Sequence, residues 1–392
     1  MPGRKRRRLV LVFVVGLAMV AGAAGYFYRD WVAARASEAQ SLVAGWSTSL
    51  RDLAAAIPEA EIDSRAVGES RSMLVTLGSA EGGSAFALVA VSPSGIPTVI
   101  VLPQTLLLAV PGFGEFRLID ALAFEGPDLA ALAVTNQFGV RIDQVVALER
   151  GAVAAAMPGP VTVDLTAPMF ARGDAGIERL VPAGQSVVTP ELLETLLVEA
   201  GEGDAFEFIQ RQGAAWRTIL EQVATDPRVA DRLLAEGGGT SAADILVTVA
   251  GHDAGVVATI PVERAESVAG SGLAPVSGRA DAFVAERIGH LLLRPEGRPR
   301  IEILNGNGRI GTTRVVADVL IRHGFRLVRT DNADSFEYAG TLVIAQGGEH
   351  QATAREIVEL LGRGSLFLEV RAPSGVVDVS IIVGDDIPSG EG

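Results

Sequence analysis

The 392-residue chain has no cysteine and a single lysine, Lys5. No disulfide framework, thiolate zinc site or cysteine nucleophile can be built from it. Histidine is scarce: His252, His290, His323 and His350 are the only four, and none has the spacing of a metal motif. The want of lysine reads as the mark of a GC-rich genome rather than of a mechanism. It leaves arginine as the cation everywhere beyond the first residues. Positive charge is itself in deficit, with 33 Lys and Arg against 47 Asp and Glu for a net −14. Nucleic-acid affinity comes from Lys and Arg neutralising phosphates, so this balance argues against a nucleic-acid partner.

What is present is equally pointed. Arg4, Lys5, Arg6, Arg7 and Arg8 precede an unbroken apolar stretch from Leu9 to Tyr28. Such a stretch, at about 1.5 Å per helical residue, spans a hydrocarbon core roughly 30 Å thick. The basic cluster stays cytoplasmic, and Tyr26, Phe27, Tyr28 and Trp31 suit the aromatic belt of the far interface. The stretch is longer than the h-region of a secretory signal, although Ala21, Ala23 and Ala24 keep a cleaved signal peptide as the alternative. The expectation is a single-pass cell-membrane protein: a basic tail at 1–8, a transmembrane helix at 9–28, and the bulk extracytoplasmic. Beyond the tail, 28 cations face 47 acids, a net −19.

Residues 29–69 read as a stalk or first helix, with Leu42, Trp46, Leu50 and Leu53 on one stripe before Pro58. From about residue 72 the period changes. Short apolar runs at Met73–Gly78, Ala85–Val91 and Val99–Leu102 read as buried strands. A helix is predicted at Asp128–Phe138 behind Pro127. Strands follow at Ile142–Leu148 and Val161–Leu165, then helices at Pro190–Leu197 and Ala205–Val223. Gly237, Gly238 and Gly239 punctuate the end of this α/β pattern. A helix at Ala243–Ala250 and a strand at Val256–Ile260 are expected to pack back on it, so the unit runs over 70–295. Arg294–Pro299 is a connector. A smaller α/β module over 300–386 then reads as strand, helix, strand, strand, helix, strand. The fold class is α/β throughout.

The smaller module carries the clearest signature. Leu304-Asn305-Gly306-Asn307-Gly308 precedes Gly311 and a helix. On physical grounds this is a tight strand-to-helix turn, with an anion cradle as the alternative. It lacks the context of the dinucleotide fingerprint and the Lys-Ser/Thr of a P-loop. Together with His323-Gly324-Phe325, Asn332-Ala333-Asp334, the pair Phe336 and Tyr338, and Asp378-Val379-Ser380-Ile381-Ile382-Val383-Gly384, this turn resembles the C-terminal domain of LytR-type cell-envelope proteins. That resemblance assigns no catalytic residues.

The larger unit resembles, more distantly, the LytR–CpsA–Psr domain. The matching pieces are Leu102-Pro103, Val110-Pro111-Gly112-Phe113-Gly114, Leu118 to Gly126, Gly139-Val140-Arg141-Ile142-Asp143, Pro182-Ala183-Gly184 and Arg211-Gln212. The resemblance implies transfer of a glycan phosphate from a polyprenyl-pyrophosphate carrier to peptidoglycan, with arginines gripping the pyrophosphate and aspartates supporting Mg²⁺. It also implies a cavity for a lipid tail, which Leu106, Leu107, Leu108, Leu196 and Leu197 could line; an ordinary core explains them as well.

Most of the implied charges are missing. The family's Pro-Arg-Asp segment reads Pro103-Gln104-Thr105. Of the Asp and Arg after the first strand, only an acid survives in Gly78-Ser79-Ala80-Glu81-Gly82. Val198 and Phe208 stand where arginines are expected, and Arg211 alone remains in place. The candidates for catalysis are Arg211, Arg141 and Arg117; for substrate binding, Gln104, Arg211 and Gln212; for a metal, Glu81 and Asp120. Asp120, Glu125, Asp128, Asp385 and Asp386 otherwise read as solvated carboxylates, and Arg172, Asp174, Glu178 and Arg179 as an exposed charged loop.

No cofactor is expected, save Mg²⁺ if the site is active. Losing several transition-state donors, each worth about 10²–10³ in rate, abolishes ordinary catalysis. The expectation is therefore an inactive transferase scaffold that acts in binding or assembly. Its partners would be the membrane, a polyprenyl-linked glycan or cell-wall proteins. An active phosphotransferase is the alternative. A transcriptional regulator is a further one, disfavoured by the apolar span, the acidic balance and the lack of a basic recognition helix.

Overall fold

In a computed structural model, residues 70–92, 96–173, 176–235, 237–252, 256–369 and 375–388 are described. The tail, the apolar span and the stalk over 1–69 lie outside the described residues. Among the described residues, no helix is long and apolar enough to cross a membrane.

Burial on both faces organises the first sheet. β1 (Arg71–Ser79) and β2 (Gly83–Val91) form an antiparallel hairpin that is mostly apolar and buried almost along its whole length, as strands covered from both sides require. β3 (Thr98–Leu102) pairs antiparallel with β2. A hairpin, β4 (Leu107–Val110) and β5 (Gly114–Arg117), leads into α1 (Leu118–Glu125) and α2 (Pro127–Phe138). β6 (Gln144–Leu148) then joins β1 in parallel. After α3 (Ala152–Ala156) come β7 (Val161–Leu165), the hairpin β8 (Met169–Gly173) and β9 (Gly176–Val181), and β10 (Gly184–Val188), which returns to β7.

Four helices follow: α4 (Pro190–Val198), α5 (Ala205–Thr225), α6 (Arg228–Leu233) and α7 (Gly239–Ala250). β11 (Val257–Thr259) adds parallel to β3, giving the order β11-β3-β2-β1-β6. The hairpin β12 (Val262–Ser267) and β13 (Gly270–Pro275) and then α8 (Arg279–Ile288) complete this part.

Alternate side chains go to opposite cores. Met73, Val75, Leu77, Ala87 and Val89 point toward α4, α5 and α7. Leu74, Phe86, Leu88, Ile100 and Leu102 point toward the β4–β5 hairpin, α1, α2 and α8. Leu106 and Leu108 belong to the second core and Leu196 and Leu197 to the first, so these leucines lie on opposite faces of the sheet and cannot line one lipid cavity. The buried Glu194 of α4 accepts from the amides of Gly151, Val153 and Ala154 at 2.6, 3.1 and 3.2 Å, capping α3 from outside its own segment.

The second sheet is built from β14 (Arg300–Asn305), β15 (Arg326–Asn332), β16 (Leu342–Gln346), β17 (Ser365–Glu369) and β18 (Val379–Val383), in the order β15-β14-β18-β16-β17. α9 (Thr312–Arg322) and α10 (Gln351–Leu361) cover the face bearing Ile301, Ile303, Val343, Val379 and Ile381.

Three sequence expectations need correction. The glycine run at 237–239 does not close the pattern, because Gly239 opens α7 and the chain goes on to add β11 to the first sheet. Arg172, Glu178 and Arg179 lie on the β8–β9 hairpin rather than in a loop. Asp386 is not free in solvent: it accepts from the Thr341 amide and hydroxyl at 2.8 and 2.7 Å, whereas Asp385 stays exposed in a surface pair with Arg309 at 3.1 Å.

α2 belongs to both cores. Leu129, Ala130, Ala133, Val134 and Phe138 pack under the first sheet, while Leu132 joins the core of the second. Asn136, 2% exposed, donates to the carbonyls of Leu327 and Ala109 at 3.0 and 3.3 Å and accepts from the Leu327 amide at 2.8 Å. Its amide thus completes β15 as a neighbouring strand would. Asn136→Ala leaves the buried Leu327 amide and carbonyl unpaired and should destabilise the fold by about 2–4 kcal/mol, read as a lowered midpoint in urea unfolding.

Candidate functional site

β1, β3 and β6 are mutually parallel, so their C-terminal ends lie at one end of the first sheet, where loops are free to hold a ligand. The β1–β2 turn sits there. Gly78 and Gly83 have φ of +90° and +83°, and a Cβ on Gly78 would lie 2.5 Å from the Gly83 carbonyl oxygen. A Cβ on Gly83 would collide with the carbonyl of Val198, so the end of α4 presses on this turn. Ser84 donates from its hydroxyl to the Ser79 carbonyl at 2.8 Å and from its amide to Gln104 Oε1 at 3.0 Å. The Gln104 carbonyl accepts from Ile119 at 2.9 Å. Gln104 therefore ties the turn to the start of α1, and its side-chain oxygen is already engaged.

Arg211 and Gln212 reach the same end from α5. The helix begins at a capping box made by Asp204 and Glu207. Gln212 donates to the Leu197 carbonyl at 2.6 Å, and Arg211 donates through Nη2 to the carbonyl of Ala200. Arg211 is 1% exposed, and its Nε and Nη1 have no partner; neither do Gln212 Oε1 and Trp216 Nε1. Burial pulls the Arg211 guanidinium below its ordinary value, with the Glu207 charge opposing. Phe208, where the resemblance expects an arginine, puts its ring 5.6 Å from that guanidinium.

The other candidates divide. Arg117 is at the right end, beside the Gln104 loop, but it is bound to Asp120 through Nε and Nη2 at 2.8 and 2.7 Å. Asp120 is thereby removed as a free metal ligand. Arg141 is at the wrong end. It donates to the Ser70 carbonyl at 2.6 Å and pairs with Asp143 at 2.7 Å, and Asp143 accepts from the Ser72 amide and hydroxyl. Seven residues of β1 separate Ser72 from Ser79, roughly 23 Å at 3.3 Å each.

Glu81 is exposed in the β1–β2 turn. Glu125 pairs with Arg314 at 2.7 Å. No group of three or more His, Asp or Glu among the described residues could hold a metal ion.

One cation escaped the sequence reading. Arg150, two residues beyond β6, donates to the Gly82 carbonyl and pairs with Glu199 at 3.1 Å. The signal was available: a residue just past a strand parallel to β1 arrives at the same sheet end as the β1–β2 turn.

The Asn-Gly turn of the second sheet is structural. Asn305 Oδ1 accepts from the amides of Asn307 and Gly308, and Asn307 Oδ1 from that of Arg309. The amides that would cradle an anion are taken by side chains. Two clefts open elsewhere. One of about 160 Å³ lies between α5, β7 and β11, and one of about 260 Å³ lies between α2, β6 and Arg322. Neither touches Gln104, Arg117 or Arg211.

Residues 298–386 match the family described as LytR cell envelope-related transcriptional attenuator. Among solved structures, TagV of B. subtilis is similar at 14% identity over 57% of this chain and 97% of its own, with a TM-score of 0.46. The LytR-Csp2A-Psr enzyme from Actinomyces oris is similar at 19% identity over 58% and 91%, with a TM-score of 0.41. A transcriptional regulator from Enterococcus faecalis is similar at 16% over 57% and 89%, with a TM-score of 0.43. No curated protein matches the sequence.

The Arg117–Asp120 pair gives a pH test. Burial pushes the Asp120 carboxyl up, but hydrogen bonds from the Arg117 side chain and backbone, and the Arg117 charge, together hold it below the ordinary 3.8. A carboxyl depressed in the folded state contributes stability that is complete above its unfolded value and is lost as pH falls through the folded one. Unfolding midpoints taken from about pH 5 to about pH 2 should fall, and Asp120→Asn should flatten part of that slope.

Proposed function

We propose that this chain is a membrane-anchored, extracytoplasmic cell-envelope protein of the LytR–CpsA–Psr type whose transferase site no longer turns over, and that it works by binding or assembly. Three things support the reading. The first eight residues and the apolar run from Leu9 to Tyr28 have the pattern of an anchor with its basic side inward. The ordered motifs over 70–235 resemble the family's domain, and residues 298–386 match the LytR-type module. The state of the arginines carries the inactivity.

At the end of the first sheet that holds Gln104, Arg117 is neutralised by Asp120 and Arg150 by Glu199. Val198 and Phe208 are apolar. Arg211 keeps two N–H donors without partners but is sealed from solvent. Phosphoryl transfer depends on cations positioned around the transferring group. One buried guanidinium in a body of net −19 does not supply them. The partners this reading implies are a polyprenyl-linked glycan or other cell-wall proteins.

The rival is a working phosphotransferase using arginines such as Arg211 with acids such as Glu81 and with Mg²⁺. One observation favours it: Arg150 brings a further guanidinium to the β1–β2 turn. The two readings separate in one experiment. The full chain in detergent, given a polyprenyl diphosphate and Mg²⁺, should release no phosphate above the uncatalysed rate. Turnover that disappears in Arg211→Ala would establish the rival.

A further inference from the structure

We propose that a ridge made by Phe113, Phe124, Ile310 and Phe336 docks onto the bilayer surface, an inference that rests on the anchored reading above. These side chains are 41, 39, 96 and 52% exposed. Phe113 lies in the turn between β4 and β5, Phe124 near the end of α1, Ile310 in the turn before α9, and Phe336 in the loop after β15.

They are near one another although they come from both halves of the fold. Phe113 and Phe124 stack at 4.5 Å with 16° between planes, and Phe116 packs edge-on to Phe124 at 5.0 Å. The Phe113 turn approaches α9, since a Cβ on Gly112 would lie 3.8 Å from that of Arg314. Arg314 in turn pairs with Glu125, next to Phe124. Ile310 is four residues before Arg314. Gly308, two residues before Ile310, has the Phe336 ring against it, with 3.3 Å from a built Cβ to the ring.

Shape and charge select the occupant. All four residues sit on turns, loops or a helix end, and none lines either cleft. Projecting apolar tips suit insertion at the level where aromatic side chains sit in a membrane interface. The nearby cations are already neutralised, Arg314 by Glu125 and Arg309 by Asp385, so the ridge offers no charge to a polyanion. Contiguous exposed apolar groups on an otherwise acidic body mark an interaction surface.

Tether length completes the argument. Between the apolar run ending at Tyr28 and the first described residue, Ser70, there are 41 residues. Fully extended, at no more than about 3.6 Å per residue, they span at most roughly 150 Å. A surface joined covalently to the bilayer docks at raised effective concentration and needs little intrinsic affinity. Docking there would also set the Gln104 end of the first sheet near the bilayer, because α1 starts beside Gln104 and ends at the ridge.

The absence of cysteine makes the test clean. Ile310→Cys and, on the opposite side of the first sheet, Val187→Cys (74% exposed in the parent chain) are each labelled with an environment-sensitive fluorophore. The full chain is reconstituted in phosphatidylcholine vesicles and separated by flotation. The label at 310 should shift to the blue and lose fluorescence when spin-labelled lipid is included, and the label at 187 should do neither. A floating chain whose label at 310 is not quenched overturns the docking alone. A blue shift without lipid quenching assigns the ridge to a protein contact and also overturns it. A chain that does not float overturns the anchor and the docking together.

Discussion

The guanidinium of Arg298 is the contact on which the mutual placement of the two sheets depends. It donates to the Asn136 and Gln137 carbonyls at the end of α2, at 2.8 and 3.4 Å, and to the Gly324 and Phe325 carbonyls after α9, at 3.2 and 3.1 Å. Two helix C-termini, each leaving carbonyls without intrahelical partners, are closed by one cation. The arrangement is costly enough to show: burial, reinforced by Arg326 and Arg294 and opposed by Asp281, lowers Arg298 to about 10. Arg294 works beside it, donating to the His323 carbonyl at 2.7 Å while lying 4.2 Å over the Phe325 ring and pairing with Glu356. Asn136 and Leu132 of α2 and the Arg314–Glu125 pair add to the seam.

The same use of arginine recurs across the fold. With lysine confined to residue 5, guanidinium groups are the only fixed cations in the described part, and at the points that matter they bind carbonyls and carboxylates of this chain. Arg141 holds the entry to β1, Arg150 holds the β1–β2 turn, Arg117 fixes the start of α1, and Arg300 grips Asp378 at 2.6 Å under β18. A guanidinium held by a carboxylate has lost most of its attraction for a second anion. The functional reading therefore follows from how the fold is fastened, with the same residues answering both questions.

Much of the fold was legible in the sequence, because burial on both faces leaves an unmistakable pattern. The strands at Met73–Gly78, Ala85–Val91 and Val99–Leu102, the helix behind Pro127 and the long helix from Ala205 all stand within a few residues of their predicted bounds. The β4–β5 and β8–β9 hairpins were not legible. Their strands are four to six residues long and, β4 apart, partly polar, and each is paired with its partner alone. The strand expected from Ile142 begins only at Gln144, because Asp143 is occupied with Ser72 and Arg141. For the candidate site, linear sequence could count arginines but could not say which end of the sheet each occupies. Arg141 and Arg150 are nine residues apart and sit at opposite ends of β6, and only strand direction distinguishes them.

The central claim is that the arginines at the Gln104 end of the first sheet are either committed within the fold, as Arg117 and Arg150 are, or sealed, as Arg211 is, and so do not gather a diphosphate. Calorimetric titration of the full chain in detergent with Mg²⁺ and inorganic pyrophosphate tests it most directly. The account predicts no binding heat below millimolar ligand, and the same blank trace for Arg150→Ala. Micromolar binding that is lost in Arg150→Ala or Arg211→Ala would contradict it.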